Sequence, residues 1–318
     1  MAQVVTKASR AVGIVASSVS KVQRKNTFPE AVGSCLKDIQ NCITDAGVSN
    51  QEVDAIIVGN MLAPQLQRQQ QFGSYLACRA GLSSASPFTI DAACGSGGAA
   101  LQLGYNLILG GGFRNVLVVG FEYMTHEDKD LIKTALAGAS NWETEGAQGA
   151  TFVSLNGQVM TAYTEKYGVD PDELRHISIN GHTNANTADH ALFQGKGGLD
   201  DEKFRSSLLI NPNLVLYAAS SICNGSAAVM LSNDNAKSHH PRIIASASAG
   251  DHIDLTQRED LTDVRNLLLT RRCTVAVSPW CRIVSSGSNL CIFFCSVVRH
   301  SRFSEWRRRL PKLSRKEA

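Results

Sequence analysis

Asp91-Ala-Ala-Cys-Gly-Ser-Gly-Gly-Ala-Ala100 closes a strand-like run at residues 86–92 and opens a second run that reaches Leu109 before three glycines, Gly110, Gly111 and Gly112. The pattern predicts a strand, a glycine-rich corner and a helix, with Cys94 on the corner. Glycines permit the tight turn and let a substrate approach backbone N–H groups. A helix N-terminus stabilises a thiolate, and its N–H groups stabilise an oxyanion forming on an attacked carbonyl. A cysteine nucleophile needs this setting. Taken alone, however, a Cys-Gly-Ser-Gly run is more often a buried cysteine in a packing turn, so the surroundings decide.

Upstream, residues 11–17 and 53–59 read as buried strands. Between them Phe28–Ala46 reads as a helix, with Val32, Leu36, Ile39 and Ile43 three or four apart and Gly47 placed to close it. Residues 67–80, stopped by Gly81, read as a second helix, and residues 115–120 as a fourth strand. Continuous apolar strands alternating with helices predict an α/β domain with a mostly parallel sheet covered on both faces, and right-handed crossovers.

From Phe121 to about Gln194 the grammar changes to helices and polar loops, at 128–137, 158–167 and 171–188. The last opens on Asp170-Pro171-Asp172-Glu173, with proline and acids suited to a first turn. Strand pattern returns at 226–232 and 242–248. The expected organisation is an α/β domain from 1–125 and 206–250, an inserted helical loop domain at 126–205, and a basic, Cys-rich tail at 251–318.

The 318 residues are 43% hydrophobic and 19% charged, an ordinary globular balance with room for two domains. The net charge of +3 is unevenly spread. Residues 266–318 hold 11 Lys and Arg against 2 Asp and Glu, leaving 20 basic and 26 acidic residues before them. The basic charge belongs to the tail, so no nucleic-acid partner is expected for the domain. Nine cysteines are present, at 35, 42, 78, 94, 223, 273, 281, 291 and 295. None has a histidine at zinc-ligand spacing, so no metal is expected, and free thiols suit a reducing compartment. The apolar stretch 290–298 is too short to span a bilayer. Residues 1–29 lack Asp and Glu and carry Lys7, Arg10, Lys21, Arg24 and Lys25. A transit segment and a first strand with a polar loop share that composition. A mitochondrial or peroxisome-like compartment is favoured over secretion, although the chain ends without Ser-Lys-Leu. Beyond Arg265 the periodicity is lost, as a shifted reading frame or an alternative 3′ exon would produce.

Five segments, in order, resemble the thiolase superfamily over about residues 10–248. They are Val58-Gly-Asn-Met61; Arg79-Ala-Gly-Leu82 with Pro87-Phe-Thr-Ile90; Ala93-Cys94-Gly95-Ser96-Gly97; Val119-Gly-Phe-Glu-Tyr-Met124; and Ser221 to Leu231, containing Asn-Gly-Ser-Ala-Ala. Asn180-Gly-His182 with Asn184 and Asn186 is similar to the sterol-carrier-protein-type or thiolase-like branch. The resemblance implies a layered α/β fold with an inserted loop domain. It also implies Cys94 as the acyl-accepting nucleophile, a CoA thioester as substrate, no further cofactor, and a homodimer joined through edge strands near the nucleophile. Gly95, Asn60, Met124 and His182 become candidate substrate-binding residues. Against that, a lone histidine in a polar loop reads more simply as solvated, and Glu122 as ordering a turn rather than moving protons.

The family's second half supplies an activating histidine and a Cys-x-Gly motif whose cysteine moves the enolate proton. Neither is found here. Cys223-Asn-Gly225 matches by letters only and lies in the first-half region, and His300 sits in no matching motif. Loss of a general base costs about two to four powers of ten, and loss of an oxyanion donor about two or three more. The leading expectation is therefore an acyltransferase of thiolase type with impaired thiolysis or condensation. A non-catalytic thiolase-fold acyl-CoA-binding or partner subunit is the alternative. A ketoacyl-synthase-type enzyme also needs absent downstream histidines, and exposed apolar surface would favour aggregation.

Overall fold

The computed structural model describes residues 12–262 and the backbone of two further strands, Arg282–Gly287 and Ile292–Arg299. The expectations for Cys273, Cys281, Cys291, the Cys295 side chain, His300 and the basic run 307–316 lie outside the described residues, as do Lys7 and Arg10.

Eight strands form one sheet. In chain order they are β1 (Val12–Val19), β2 (Ala55–Gly59), β3 (Ser86–Ile90), β4 (Asn115–Tyr123), then, after a small hairpin of β5 (Leu209–Asn211) and β6 (Leu214–Val215), β7 (Asn224–Ser232), β8 (Arg242–Gly250), β9 (Arg282–Gly287) and β10 (Ile292–Arg299). Their spatial order is β3-β2-β4-β7-β1-β8-β10-β9. Only β2 pairs in parallel, with β3 on one side and β4 on the other. Every other pairing is antiparallel, from β4 with β7 to β10 with β9. The mostly parallel sheet expected from the apolar runs is thus corrected to a mixed one. An apolar run reports that both faces of a strand are covered and carries no information about its direction.

Both faces are indeed covered. Along β2, Ile56 and Val58 enter one apolar cluster while Ala55 and Ile57 enter another, the alternation a pleated strand imposes. The first cluster takes Val32, Cys35, Ile39 and Ile43 of α1 (Phe28–Ala46) and Phe72, Leu76 and Ala77 of α2 (Phe72–Arg79). The second takes Ala100, Tyr105 and Ile108 of α3 (Ser96–Gly110). Helix α1 matches its predicted bounds. A capping box joins Thr27 to Glu30 at its start, and Gly47 closes it at φ 67°. Helix α2 begins later than the predicted 67. Ala63–Gln67 is instead a π-helical turn ended by Arg68 at φ 55°, a left-handed residue that no helix can continue through.

Between β4 and β7 lie the inserted helices α4 (Lys129–Ala137), α5 (Phe152–Tyr167), α6 (Arg175–Thr187) and α7 (Asp201–Arg205). Asp128, Thr151 and Asp200 cap α4, α5 and α7 with side-chain oxygens. His182 lies on α6, inside the segment 171–188 expected to be helical and not in a polar loop; the short 3-10 turn Pro171–Leu174 leads straight into that helix. Stretch 290–298 falls largely within β10, paired between β8 and β9. Among the described residues no helix is long and apolar enough to cross a membrane.

Candidate active site

The corner between β3 and α3 is tied to itself. Asp91 Oδ1 accepts the Ala93 N–H at 2.8 Å, and Ser96 Oγ accepts the Ala92 N–H at 2.9 Å while donating to the Ala93 carbonyl at 2.6 Å. These bonds hold Ala93 at φ 48°, a left-handed conformation costing a residue with Cβ roughly 1–2 kcal/mol. The strain turns the chain so that Cys94 is exposed. Gly95 is the N-cap of α3 and brings no side chain to its first turn. The N–H groups of Gly95 and Ser96 are spent on the Ala92 and Ala93 carbonyls, at 2.9 and 3.1 Å. The first helical bond runs from the Ala99 N–H to the Gly95 carbonyl at 2.9 Å, so the Gly97 and Gly98 N–H groups precede it. The donors offered to an incoming carbonyl thus lie further along the helix than Gly95.

Cys94 contrasts with the buried thiols. Cys35 and Cys42 lie on the buried face of α1, Cys42 donating to the Ala228 carbonyl at 3.1 Å, and burial pushes both up to about 12. Burial also raises Cys223. The neighbouring Asn224 spends its side chain on Asn26 and Thr125.

The turn after β2 abuts the corner. A Cβ on Gly59 would stand 2.7 Å from the Ser96 carbonyl oxygen and 2.9 Å from the Gly97 nitrogen, so glycine is what lets strand and helix meet. The Asn60 N–H donates to the Ile90 carbonyl at 3.1 Å. Its buried side chain donates to the Phe121 carbonyl at 2.8 Å and accepts the Ala63 N–H at 3.0 Å. Asn60 therefore builds the turn, and its amide is engaged by the protein itself. Glu122, at the end of β4, accepts the Met61 N–H at 2.5 Å and the Leu62 N–H at 3.4 Å. Burial pushes its carboxyl up to about 7, the two N–H groups opposing the rise and Asp91 adding to it.

Met61 and Met124 pack onto a cluster of Leu62, Leu66, Ile132 and Ala135, with Leu136 and Ile222 against it. Behind that cluster opens a cavity of about 420 Å³. Its walls are apolar side chains of Ile132, Leu136, Phe152, Val153 and Ile222. Arg24, His126, Lys129 and Lys133 also line it, with Thr125 and Thr151 and no acidic residue. Four of the wall residues, Lys129, Ile132, Lys133 and Leu136, share one face of α4. An apolar interior with a cationic lining suits an apolar chain that carries an anionic group.

None of the five residues singled out from sequence lines this cavity. Cys94 and Gly95 form the corner, Asn60 braces it, and Met124 stands in the cluster behind the wall. His182 stands elsewhere, against Phe193 and Tyr217 with ring centroids 4.8 and 5.6 Å away. The lining residues had one sequence signal, the Lys and apolar spacing within 129–136. Arg24 and Ile222 join them only through the fold.

Comparison with known proteins agrees with the geometry. Residues 12–196 match the family model described as thiolase, N-terminal domain. The chain is 34% identical over 228 residues to the acetyl-CoA acetyltransferase of Methanothermobacter thermautotrophicus, covering 70% of this chain and 58% of that protein. It is 33% identical over 226 residues to the acetyl-CoA acetyltransferase of Methanocaldococcus jannaschii, covering 69% and 57%. The chain thus spans somewhat over half the length of these relatives. Among solved structures, an Ltp2-ChsH2(DUF35) aldolase superposes with TM-score 0.69 at 14% identity, covering 85% of this chain and 71% of that one. An acetyl-CoA acetyltransferase from Syntrophomonas wolfei superposes with TM-score 0.60 at 15% identity, covering 76% and 70%.

Proposed function

We propose, for a chain that belongs to the thiolase family, that Cys94 accepts an acyl group from an acyl-CoA thioester and that the cavity beside α4 receives part of that substrate. The observation that carries the reading is the exposed Cys94 on a strained corner, ahead of a helix whose first turn has no side-chain cap. Its thiolate attacks the thioester carbonyl, forming a C–S bond. The oxyanion is met by first-turn N–H groups, and the CoA thiolate leaves as the carbonyl re-forms. Transfer onward goes to CoA or to an acetyl-CoA enolate. Among the described residues no histidine hydrogen-bonds to Cys94, so we expect the onward step to be slow.

The thiolysis or condensation assigned here, the homodimer and a place in fatty-acid metabolism are parts of the same proposal. Strand β3, with exposed Ser86 and Pro87, is an outer edge of the sheet and supports pairing with a second copy beside the nucleophile. A second reading is a non-catalytic partner subunit. It is favoured by the exposed apolar side chains Ile177, Leu208, Leu209 and Leu216 on the inserted helices and hairpin.

The test is the intact mass of the protein after incubation with acetyl-CoA and with a longer acyl-CoA, beside Cys94→Ser. An acyl adduct on the parent and none on the variant supports the transferase. A folded parent that takes up no adduct removes it and leaves the partner-subunit reading.

A further inference from the structure

Four consecutive N–H groups of the turn after β2 have identified acceptors. Asn60 donates to Ile90 of β3, Met61 and Leu62 donate to Glu122, and Ala63 donates to the Asn60 side chain. Two of the three acceptors, Ile90 and Asn60, belong to the strand leading into the Cys94 corner and to the turn itself. The third, Glu122, takes two of the N–H groups and comes from another strand, and its side chain is the one charged group in the set. It supplies the bonds at the point where the turn changes partners, with Gly59 and Asn60 against the corner and Met61 and Leu62 in the cluster behind the cavity.

We propose that Glu122 is a positioning residue, its carboxylate clamping the Asn60–Leu62 turn so that the Cys94 corner and the cavity wall keep one relative placement. The effect on acyl transfer rests on the reading of Cys94 as the acyl acceptor; the clamp itself does not. Two adjacent N–H groups aimed at one carboxylate form a small anion-binding concavity, and charge makes such bonds about twice as strong as neutral ones. Protonation of the carboxyl removes that advantage. The turn contains no titratable residue, the cross-strand neighbour of Glu122 on β7 is Gly225, and Asp91 of the corner is the charged group acting on it. With its carboxyl near 7, Glu122 holds the turn above neutrality and releases it as pH falls through that value. The charge therefore matters to the site only on the alkaline side.

Glu122→Gln keeps the shape and mimics the protonated acid. The experiment compares the full-length parent and this variant on either side of neutrality, by amide hydrogen exchange in a peptide spanning residues 60–63, corrected for intrinsic exchange, and by the rate of Cys94 acylation. Circular dichroism checks that the variant folds. Below the titration the two proteins should match. Above it the parent should protect the turn and acylate about tenfold faster, the effect of one charge-assisted bond. A Glu122→Asp variant, charged but one methylene shorter, should restore part of the alkaline protection. Equal protection of the turn at every pH, or a difference that does not change with pH, overturns the clamp. A pH-dependent difference in exchange with no acylation of either protein upholds the clamp and removes the transferase reading instead.

Discussion

The sheet and the inserted helices are built to different standards. Strands β2, β4 and β7 place Ile56, Ile57, Leu117, Val119, Met230 and Leu231 at or near zero exposure, and helices close over both faces. In the insert, α6 has no buried residue, and Ile177 on it is 72% exposed. Its burial rests on scattered side chains such as Ile132, Leu155, Leu199 and Phe204. Ion pairs supplement them, with Arg175 and Arg205 sharing Asp172 at 2.9 and 2.8 Å. The difference divides the work. A close-packed sheet can hold one strained residue, Ala93, and keep the exposed Cys94 fixed beside it. A loosely buried helical layer can open and close over a cavity, because local opening costs least where few apolar contacts are broken.

The largest effect that would break this comparison is in the sheet. Leu117→Ala should cost about 2–5 kcal/mol by urea unfolding, since the close-packed layers cannot collapse around the lost side chain. A cost below that of Leu155→Ala in the insert would reverse the ranking. Next comes the joint beside Cys94. Gly59→Ala forces a Cβ against the Ser96 and Gly97 backbone and should cost about 1–3 kcal/mol, slowing Cys94 acylation as well. Unchanged stability and acylation would mean the joint has slack.

A smaller effect belongs to the exposed ion pairs. The Arg205 guanidinium beside Asp172 holds its carboxyl below the usual range. That contribution is present above the ordinary aspartate range and lost as pH falls through the lowered value. Asp172→Asn should lower the melting temperature of the insert slightly near neutrality. The difference should shrink with added salt and vanish in acid; a difference untouched by salt would mean packing, not charge. Smallest of all, Ile177→Ser should change stability by no more than about 0.5 kcal/mol. A larger loss would reveal that something covers this face in solution.

How much of this could be read from residues alone follows the same division. Helix α1 was legible end to end, because its apolar spacing and closing glycine are local. So were the four strands of the first half and the corner at Cys94. Strand direction was not, since β4 and β7 pair across about a hundred intervening residues and an apolar run looks alike in either sense. The π turn at Ala63–Gln67 hid inside a helix-like pattern that Arg68 interrupts. Asn60 entered as a candidate substrate contact through the family resemblance, and the brace its amide gives to Phe121 and Ala63 becomes visible only in the fold. The cavity was illegible because Arg24, α4, Phe152 and Ile222 meet only in three dimensions.

If Cys94 takes up an acyl group as proposed, it faces the site an acyl-CoA occupies. The direct measurement is the rate of Cys94 alkylation by iodoacetamide, followed by peptide mass, with and without a non-hydrolysable acyl-CoA analogue. Buried Cys35 and Cys42 serve as unreactive internal controls. Saturable protection of Cys94 by the analogue is expected, weakened when Ile132→Trp fills the cavity while alkylation without analogue stays the same. Alkylation of Cys94 at one rate whether or not the analogue is present, in a folded protein, would contradict it.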